Sequence, residues 1–144
     1  MFLGEDVHTL DGKGRVVMPS RFRERLTDSC IVTKGQDGQL VVFPRATWEQ
    51  KAADAMHRPQ NRAGRQFART FFASADEQSL DKTGRLLVKP ELRGYASLES
   101  GSEVVVLGVY DHVELWNVSS YESDRAAGDE AFLEDDDEEV PQSE

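Results

Sequence analysis

Apolar positions along this chain fall into short runs, and the runs come twice. Residues 10–18, LDGKGRVVM, align without a gap to residues 80–88, LDKTGRLLV, and the same offset sets Phe22 on Leu92 and Arg23 on Arg93. After an insertion of three residues, CIVTKG at 30–35 faces EVVVLG at 103–108, and LVVFP at 40–44 faces VELWN at 113–117. Such self-similarity marks duplicated structural units that pack on each other.

Both copies predict the same order of elements. A polar lead, GEDVHT or SADEQS, enters an Asp-x-x-Gly-Arg turn whose Gly14 or Gly84 suits a hairpin needing positive φ. The apolar run at 16–18 or 86–88 has the length of a buried strand. Pro19 or Pro90 then opens a short helix, since a proline in the first turn removes no helical hydrogen bond. A second hairpin follows, 30–34 with 40–43 around Asp37 and Gly38, and 104–107 with 113–116 around Asp111. Each unit is ββαββ, and a unit near the roughly 40-residue lower limit for independent folding must share its core with the other. The expected fold class is therefore α+β, mainly β, from two tandem repeats with additional helices.

Those helices lie between and after the copies. TWEQKAADAM, with Thr47 as N-cap, and NRAGRQFARTFFA, capped by Asn61 with Phe67 and Phe71 one turn apart, predict two helices; SSYESDRAAG predicts a shorter one that sets Tyr121 where Trp48 stands in the first copy. The chain thus divides into a first repeat (1–47), connecting helices (48–73), a second repeat (74–118), and a short helix with an acidic tail (119–144).

Charge changes the picture once it is split along the chain. The 144 residues carry 17 Lys plus Arg against 27 Asp plus Glu, a net charge of −10. Ten of those acids, with a single base, Arg125, lie in 124–144, leaving 16 bases and 17 acids in 1–123. A run such as EDDDEE is expected to stay unfolded and solvated. Within the body, 8–25 holds five bases against two acids and 45–69 holds six against two. Local basic faces are expected in an acidic protein, and affinity for nucleic acid depends on the cations that touch phosphate.

Several classes drop out. No stretch approaches the roughly 20 apolar residues of a membrane span, and the N-terminus lacks a basic region before an apolar run, so a cytoplasmic protein without membrane attachment is expected. Cys30 is the single cysteine and reads as a small buried hydrophobe without a redox role. His8, His57 and His112 are scattered, with no metal-ligand spacing, no nucleophile elbow and no phosphate-loop frame around GKGR or KTGR. No enzyme, no cofactor, no metal site and no small-molecule substrate are expected.

The duplicated turn is the remaining candidate for function. Asp11 with Arg15 and Asp81 with Arg85 set a carboxylate beside a guanidinium at the base of each turn, with Lys13 and Lys82 in the same loops. A salt bridge that merely holds the turn explains one occurrence; surface pairs contribute only about 0–1 kcal/mol, a weak reason for two. An arginine oriented by an acid presents a planar fork suited to phosphate oxygens or to the O6 and N7 acceptors of guanine. Arg21, Arg23 and Arg25, and in the second copy Lys89 and Arg93, are candidates for further phosphate contacts.

The MFLG start, LDGKGRVVMPSRFR, LDKTGRLLVKPELRGYASL and the FFASADEQ approach resemble the MraZ family of bacterial transcriptional regulators, over about residues 1–121. That resemblance implies a double-ψ or swapped-hairpin AbrB-like (SpoVT-AbrB) barrel, in which the two repeats pair as two chains do in dimeric relatives. It also implies a ring-shaped homo-oligomer that binds double-stranded promoter DNA on tandem short repeats. The expected outcome is repression of the division and cell-wall gene cluster, the protein's own gene included, from a nucleoid-associated position. The resemblance carries DNA contact to Arg15 and Arg85 with Asp11 and Asp81 as orienting acids; charge and position add Lys13, Lys82, Arg21 and Arg23. Two alternatives stay open: a structural or protein-interaction module whose turns are oligomer contacts, and an antitoxin-like DNA binder.

Overall fold

The duplicated turns do not close hairpins. In the computed structural model, which describes residues 1–135, the strands on either side of each turn belong to different sheets. The first repeat contains β1 (Phe2–Thr9), β2 (Arg15–Val17), α1 (Ser20–Arg23) with a 3-10 turn at Glu24–Leu26, β3 (Cys30–Lys34) and β4 (Leu40–Pro44). Two helices follow, α2 (Arg45–Met56) and α3 (Arg62–Ala73). The second repeat contains β5 (Asp76–Gln78), β6 (Arg85–Leu87), α4 (Pro90–Ala96), β7 (Glu103–Tyr110) and β8 (His112–Asn117), and α5 (Val118–Glu134) ends the described chain.

Six strands form one antiparallel sheet in the order β1-β7-β8-β4-β3-β5, and β2 pairs with β6 in a separate two-stranded ribbon. The leading strand of each repeat pairs with the other repeat: β1 runs along β7 from Phe2↔Tyr110 to Thr9↔Glu103, and β5 runs along β3. This reciprocal exchange is the AbrB-like swapped-hairpin arrangement, and it corrects the expectation that Gly14 and Gly84 turn local hairpins. Alternation along a strand tells which face is buried but carries no information about the partner strand.

Exchange produces one core. Leu10, Val16, Met18, Phe22 and Leu26 of the first repeat meet Leu86, Val88, Leu92 and Ala96 of the second in a single cluster with Val32, Val42, Val106 and Leu115. Equivalent positions of the two copies therefore serve the same interior. Cys30 is fully buried in it, and burial pushes its thiol up to about 12, so it packs as a small apolar residue.

β4 is buried at all five positions because both its faces are covered. Leu40 and Val42 face the shared core, whereas Phe43 faces an aromatic cluster supplied by the helices: Trp48 stacks on Phe71 at 5.6 Å, and Phe71 on Phe67 at 5.5 Å. Asn61 caps α3 as expected, accepting from the Gly64 N–H. Thr47 does not cap α2. That helix starts at Arg45 directly from Pro44, and the Thr47 hydroxyl instead donates back to the Pro44 carbonyl. In the second copy Tyr121 packs on Trp116, with ring centroids 5.7 Å apart, as Trp48 does on Phe43 in the first.

The last helix outruns the expectation. The helix expected over 119–128 extends further, because α5 runs from Val118 to Glu134 behind its Asn117 cap, which accepts from the Ser120 N–H, and so takes in the first residue of the EDDDEE run. Ala126, Ala127, Glu130, Ala131 and Leu133 have high helix propensity, and this outweighs the charge until the acidic run itself begins. The expectation of an unfolded tail at 136–144 lies outside the described residues. No helix among the described residues is long and apolar enough to cross a membrane.

Candidate nucleic-acid interface

Each turn is built by its aspartate. Asp11 Oδ1 accepts the backbone N–H groups of Lys13 and Arg15, both at 2.9 Å, and Oδ2 accepts Arg15 Nε at 2.9 Å. In the second copy Asp81 Oδ1 accepts the N–H groups of Thr83 and Arg85, at 3.0 and 2.9 Å, and Oδ2 accepts Arg85 Nε at 2.7 Å. Backbone bonds close both loops identically, Gly14 N–H to Asp11 O and Gly84 N–H to Asp81 O, with the glycines at φ +80° and +81°. Local side-chain capture of backbone donors is what aspartate does well at turns.

These donors also set the acidity of the two carboxyls. The Arg15 N–H leads in holding Asp11 below the usual carboxylate range, joined by the Lys13 N–H and the Arg15 guanidinium against the opposing effect of burial. The Arg85 N–H does the same for Asp81, with Thr83 and the Arg85 guanidinium adding to it. Both acids are ionised at neutral pH, and each fixes its arginine through Nε, so the Nη groups take no part in that hydrogen bond.

The ribbon brings the two turns together. Arg15 stands opposite Leu87, and Arg85 opposite Val17, while Val16 and Leu86 between them are completely buried. Side chains alternate along a strand, so Arg15, Val17, Arg85 and Leu87 share the outer face. Strand geometry separates the two arginine Cα atoms by about 8 Å. Arg85 Nη1 in fact lies 3.8 Å from Asp11 Oδ2, across the junction of the repeats. The side chains of Arg15 and Arg85 are 26% and 32% exposed, so the forks are held by their surroundings and still reachable. Lys13 and Lys82 are exposed on the same loops.

The remaining predicted residues take other positions. Arg23 lies behind the opposite repeat's turn: its Nε donates to Met18 O at 2.9 Å, and it packs where a Cβ on Gly84 would fall. Arg93 mirrors it, donating to Val88 O at 2.9 Å and packing behind Gly14. The backbone repeats this crossing, Met18 N–H to Gly84 O and Val88 N–H to Gly14 O. Arg21 is exposed but turned toward β1, where it makes a forked pair with Asp6 and donates to Leu3 O. Arg25 lies over the Phe2 ring, and Lys89 pairs with Asp76.

Two residues were not singled out from the sequence. Leu87 is 41% exposed on the outer face of the ribbon, and Val17 stands half-buried beside Arg85. The alternation Arg-Val-Val and Arg-Leu-Leu held the signal, because a core residue at 16 or 86 forces its neighbours outward. His112 is not part of the ribbon: half-buried on β8, it contacts the Asp111 and Glu114 carboxylates at 2.8 and 2.9 Å, and Lys51 reaches Asp111 at 2.8 Å. No group of three or more metal-ligating side chains occurs among the described residues.

A two-stranded β-ribbon is one of the elements that a DNA major groove admits, and this one carries two latched guanidinium forks on its outer face. Known proteins agree with this architecture. The family model described as "MraZ protein, putative antitoxin-like" matches twice, over residues 1–69 and 71–140, reproducing the internal repeat. Among curated proteins, one named Transcriptional regulator MraZ from Corynebacterium kroppenstedtii is 40% identical over 138 residues, covering 95% of each chain. Proteins of the same name from Desulforamulus reducens and Carboxydothermus hydrogenoformans are 42% identical with 92% of each chain covered, and 48% identical with 81% covered. A duplicated match along nearly the whole chain, on a fold whose repeats exchange strands, means that this protein belongs to the MraZ family.

Proposed function

We propose that the chain is a sequence-specific DNA-binding transcription regulator that acts by occupying a promoter. The observation that carries this reading is the pairing of Arg15 and Arg85 on one face of the β2–β6 ribbon, each latched through Nε by its own aspartate. The Nη groups read guanine O6 and N7 in the major groove, while Val17 and Leu87 offer apolar contact to a thymine methyl. Lys13 and Lys82 neutralise flanking phosphates, and Arg23 stabilises the turn from behind while adding positive charge. Arg21 contributes least, since Asp6 already compensates its charge. The relatives' shared name, Transcriptional regulator MraZ, supports the same role.

A ring of copies presents several such ribbons in a row, so that weak contacts on tandem short repeats add through effective concentration. The regulated genes are the division and cell-wall cluster with the protein's own gene, and the regulator works in the cytoplasm at the nucleoid. Polymerase access is blocked without any chemical step.

The test is a gel shift with the DNA just upstream of the protein's own gene, with the native chain and the double variant Arg15→Ala/Arg85→Ala. Loss of the shift with assembly intact is expected, together with a steep fall of native affinity between about 50 and 200 mM salt. The 3.8 Å contact from Arg85 to Asp11 favours a second reading, in which the turns are structural or oligomer contacts. Loss of assembly in the double variant, with no shift by the native chain, would establish that one and refute DNA binding.

A further inference from the structure

The structure leaves two complementary surfaces without partners. One is a groove of about 240 Å³ between α2 and α3, whose lining combines the apolar Ala55, Met56 and Ala68 with Arg58, Arg65 and Arg69. Met56 is 57% exposed there. None of the three arginines has a carboxylate within ion-pair distance among the described residues; Arg58 lies over the Phe67 ring, and Arg65 reaches the Gln60 carbonyl. The other surface is the distal part of α5. Tyr121 and Arg125 tie this helix to Glu5 of β1, but every residue from 122 to 135 is exposed, Phe132 and Leu133 by 81% each.

Such an arm is unusual in two ways. Most helical stability in proteins comes from packing one face, and no face of 122–135 is covered. Contiguous exposed apolar surface marks interaction sites, and Phe132 and Leu133 set two large apolar side chains next to each other in solvent. Asp129, Phe132 and Leu133 lie within one turn of each other, so acid and apolar anchors share a face, with Glu130 and Glu134 flanking them.

We infer that the distal segment of α5, residues 129–135, docks in the α2–α3 groove of a second copy of this chain. Phe132 or Leu133 packs against the apolar lining, and Asp129, Glu130 and Glu134 meet the arginines. The apolar share of the lining decides against a nucleic acid as occupant, because phosphate and sugar gain nothing from Ala55, Met56 and Ala68, whereas an aromatic side chain does. The occupant belongs to another copy because the segment stands free of its own chain's groove. The inference rests on the self-association part of the proposed function and names the contact that holds neighbouring copies together.

The test uses full-length chains in the absence of DNA. One chain carries Ala68→Cys, a small replacement in the groove wall, and another Ala131→Cys on α5 beside the anchors, and the mixture is oxidised and resolved by mass. A mixed disulfide between the two chains is expected. Arg65→Glu/Arg69→Glu in the first chain should slow its formation about tenfold, since close charge pairs steer association and fix register. Asp129→Arg/Glu130→Arg in the second chain should restore it, and Phe132→Ser/Leu133→Ser, on a wholly exposed arm, should abolish it without altering the circular dichroism. Sedimentation of the same samples separates the two levels of the claim. Monomers would overturn both the ring and this contact. Assemblies that give no mixed disulfide, or bridge only within one chain carrying both cysteines, overturn this contact alone. Charge reversal at Arg65 and Arg69 that spares cross-linking but weakens the DNA shift assigns the groove to nucleic acid and also overturns it.

Discussion

Replacing Gly84 by alanine isolates the crossed bracing of the two turns. At φ +81° a side chain incurs the left-handed penalty of roughly 1–2 kcal/mol. The new Cβ would also fall 2.6 Å from Arg23 Cζ, so the guanidinium must move off the Met18 carbonyl. A hydrogen bond from a charged donor contributes about 1.5–3 kcal/mol, less for a half-exposed group that water can satisfy, so about 1 kcal/mol is lost here. Together these give a destabilisation of about 2–3 kcal/mol. Gly38 is the control, at φ +87° with nothing within 4 Å of a built Cβ, and only the backbone penalty of roughly 1–2 kcal/mol applies. Urea unfolding followed by Trp48 and Trp116 fluorescence at fixed protein concentration measures both. Because Arg23 belongs to the first repeat and Gly84 to the second, Gly84→Ala should also weaken the DNA shift, and Gly38→Ala should not. Equal stability losses for the two variants would refute the brace.

Three further outcomes follow from the same geometry. Arg15→Lys/Arg85→Lys keeps the charge and loses the fork, so competition of cognate against scrambled DNA should show specificity falling by about 1–3 kcal/mol per site while non-specific binding persists. Asp11 and Asp81 have lowered folded-state pKa values, so they stabilise the fold above the unfolded carboxylate pKa and lose that contribution as pH falls through the folded values. The urea midpoint should therefore drop below about pH 4, and Asp11→Asn/Asp81→Asn should flatten that drop. His112 has the opposite sign: burial pushes its pKa down, but the Glu114 and Asp111 carboxylates outweigh this and raise it. Its contribution is complete below about pH 6.5 and lost as pH rises through the higher folded value, so His112→Gln should remove a loss of stability that sets in as pH rises above about 6.5.

Local physics made much of this protein legible in advance. Asp11, Gly14 and Arg15 form a turn because an aspartate captures nearby backbone donors and a glycine accepts positive φ, and both effects lie within five residues. The Asn61 cap, the Phe67–Phe71 pair and the buried Val16 and Leu86 are legible for the same reason. The helix expected over 119–128 continues to Glu134 because Glu130, Ala131 and Leu133 favour helix, and α2 starts before Thr47 because Pro44 leads from the strand straight into the helix.

What the amino-acid order determined by itself was therefore the duplicated unit, its turns and the residues that face inward. Tertiary structure alone decided which strands pair: β1 with β7, β5 with β3, and β2 with β6. Two-residue alternation specifies a face and leaves the partner open, so only the closing of one shared core could bring Arg15 and Arg85 side by side. It likewise separated the arginines that remain available from Arg21, Arg23 and Arg93, since a positive charge does not reveal that a carbonyl or carboxylate from a distant segment waits beside it.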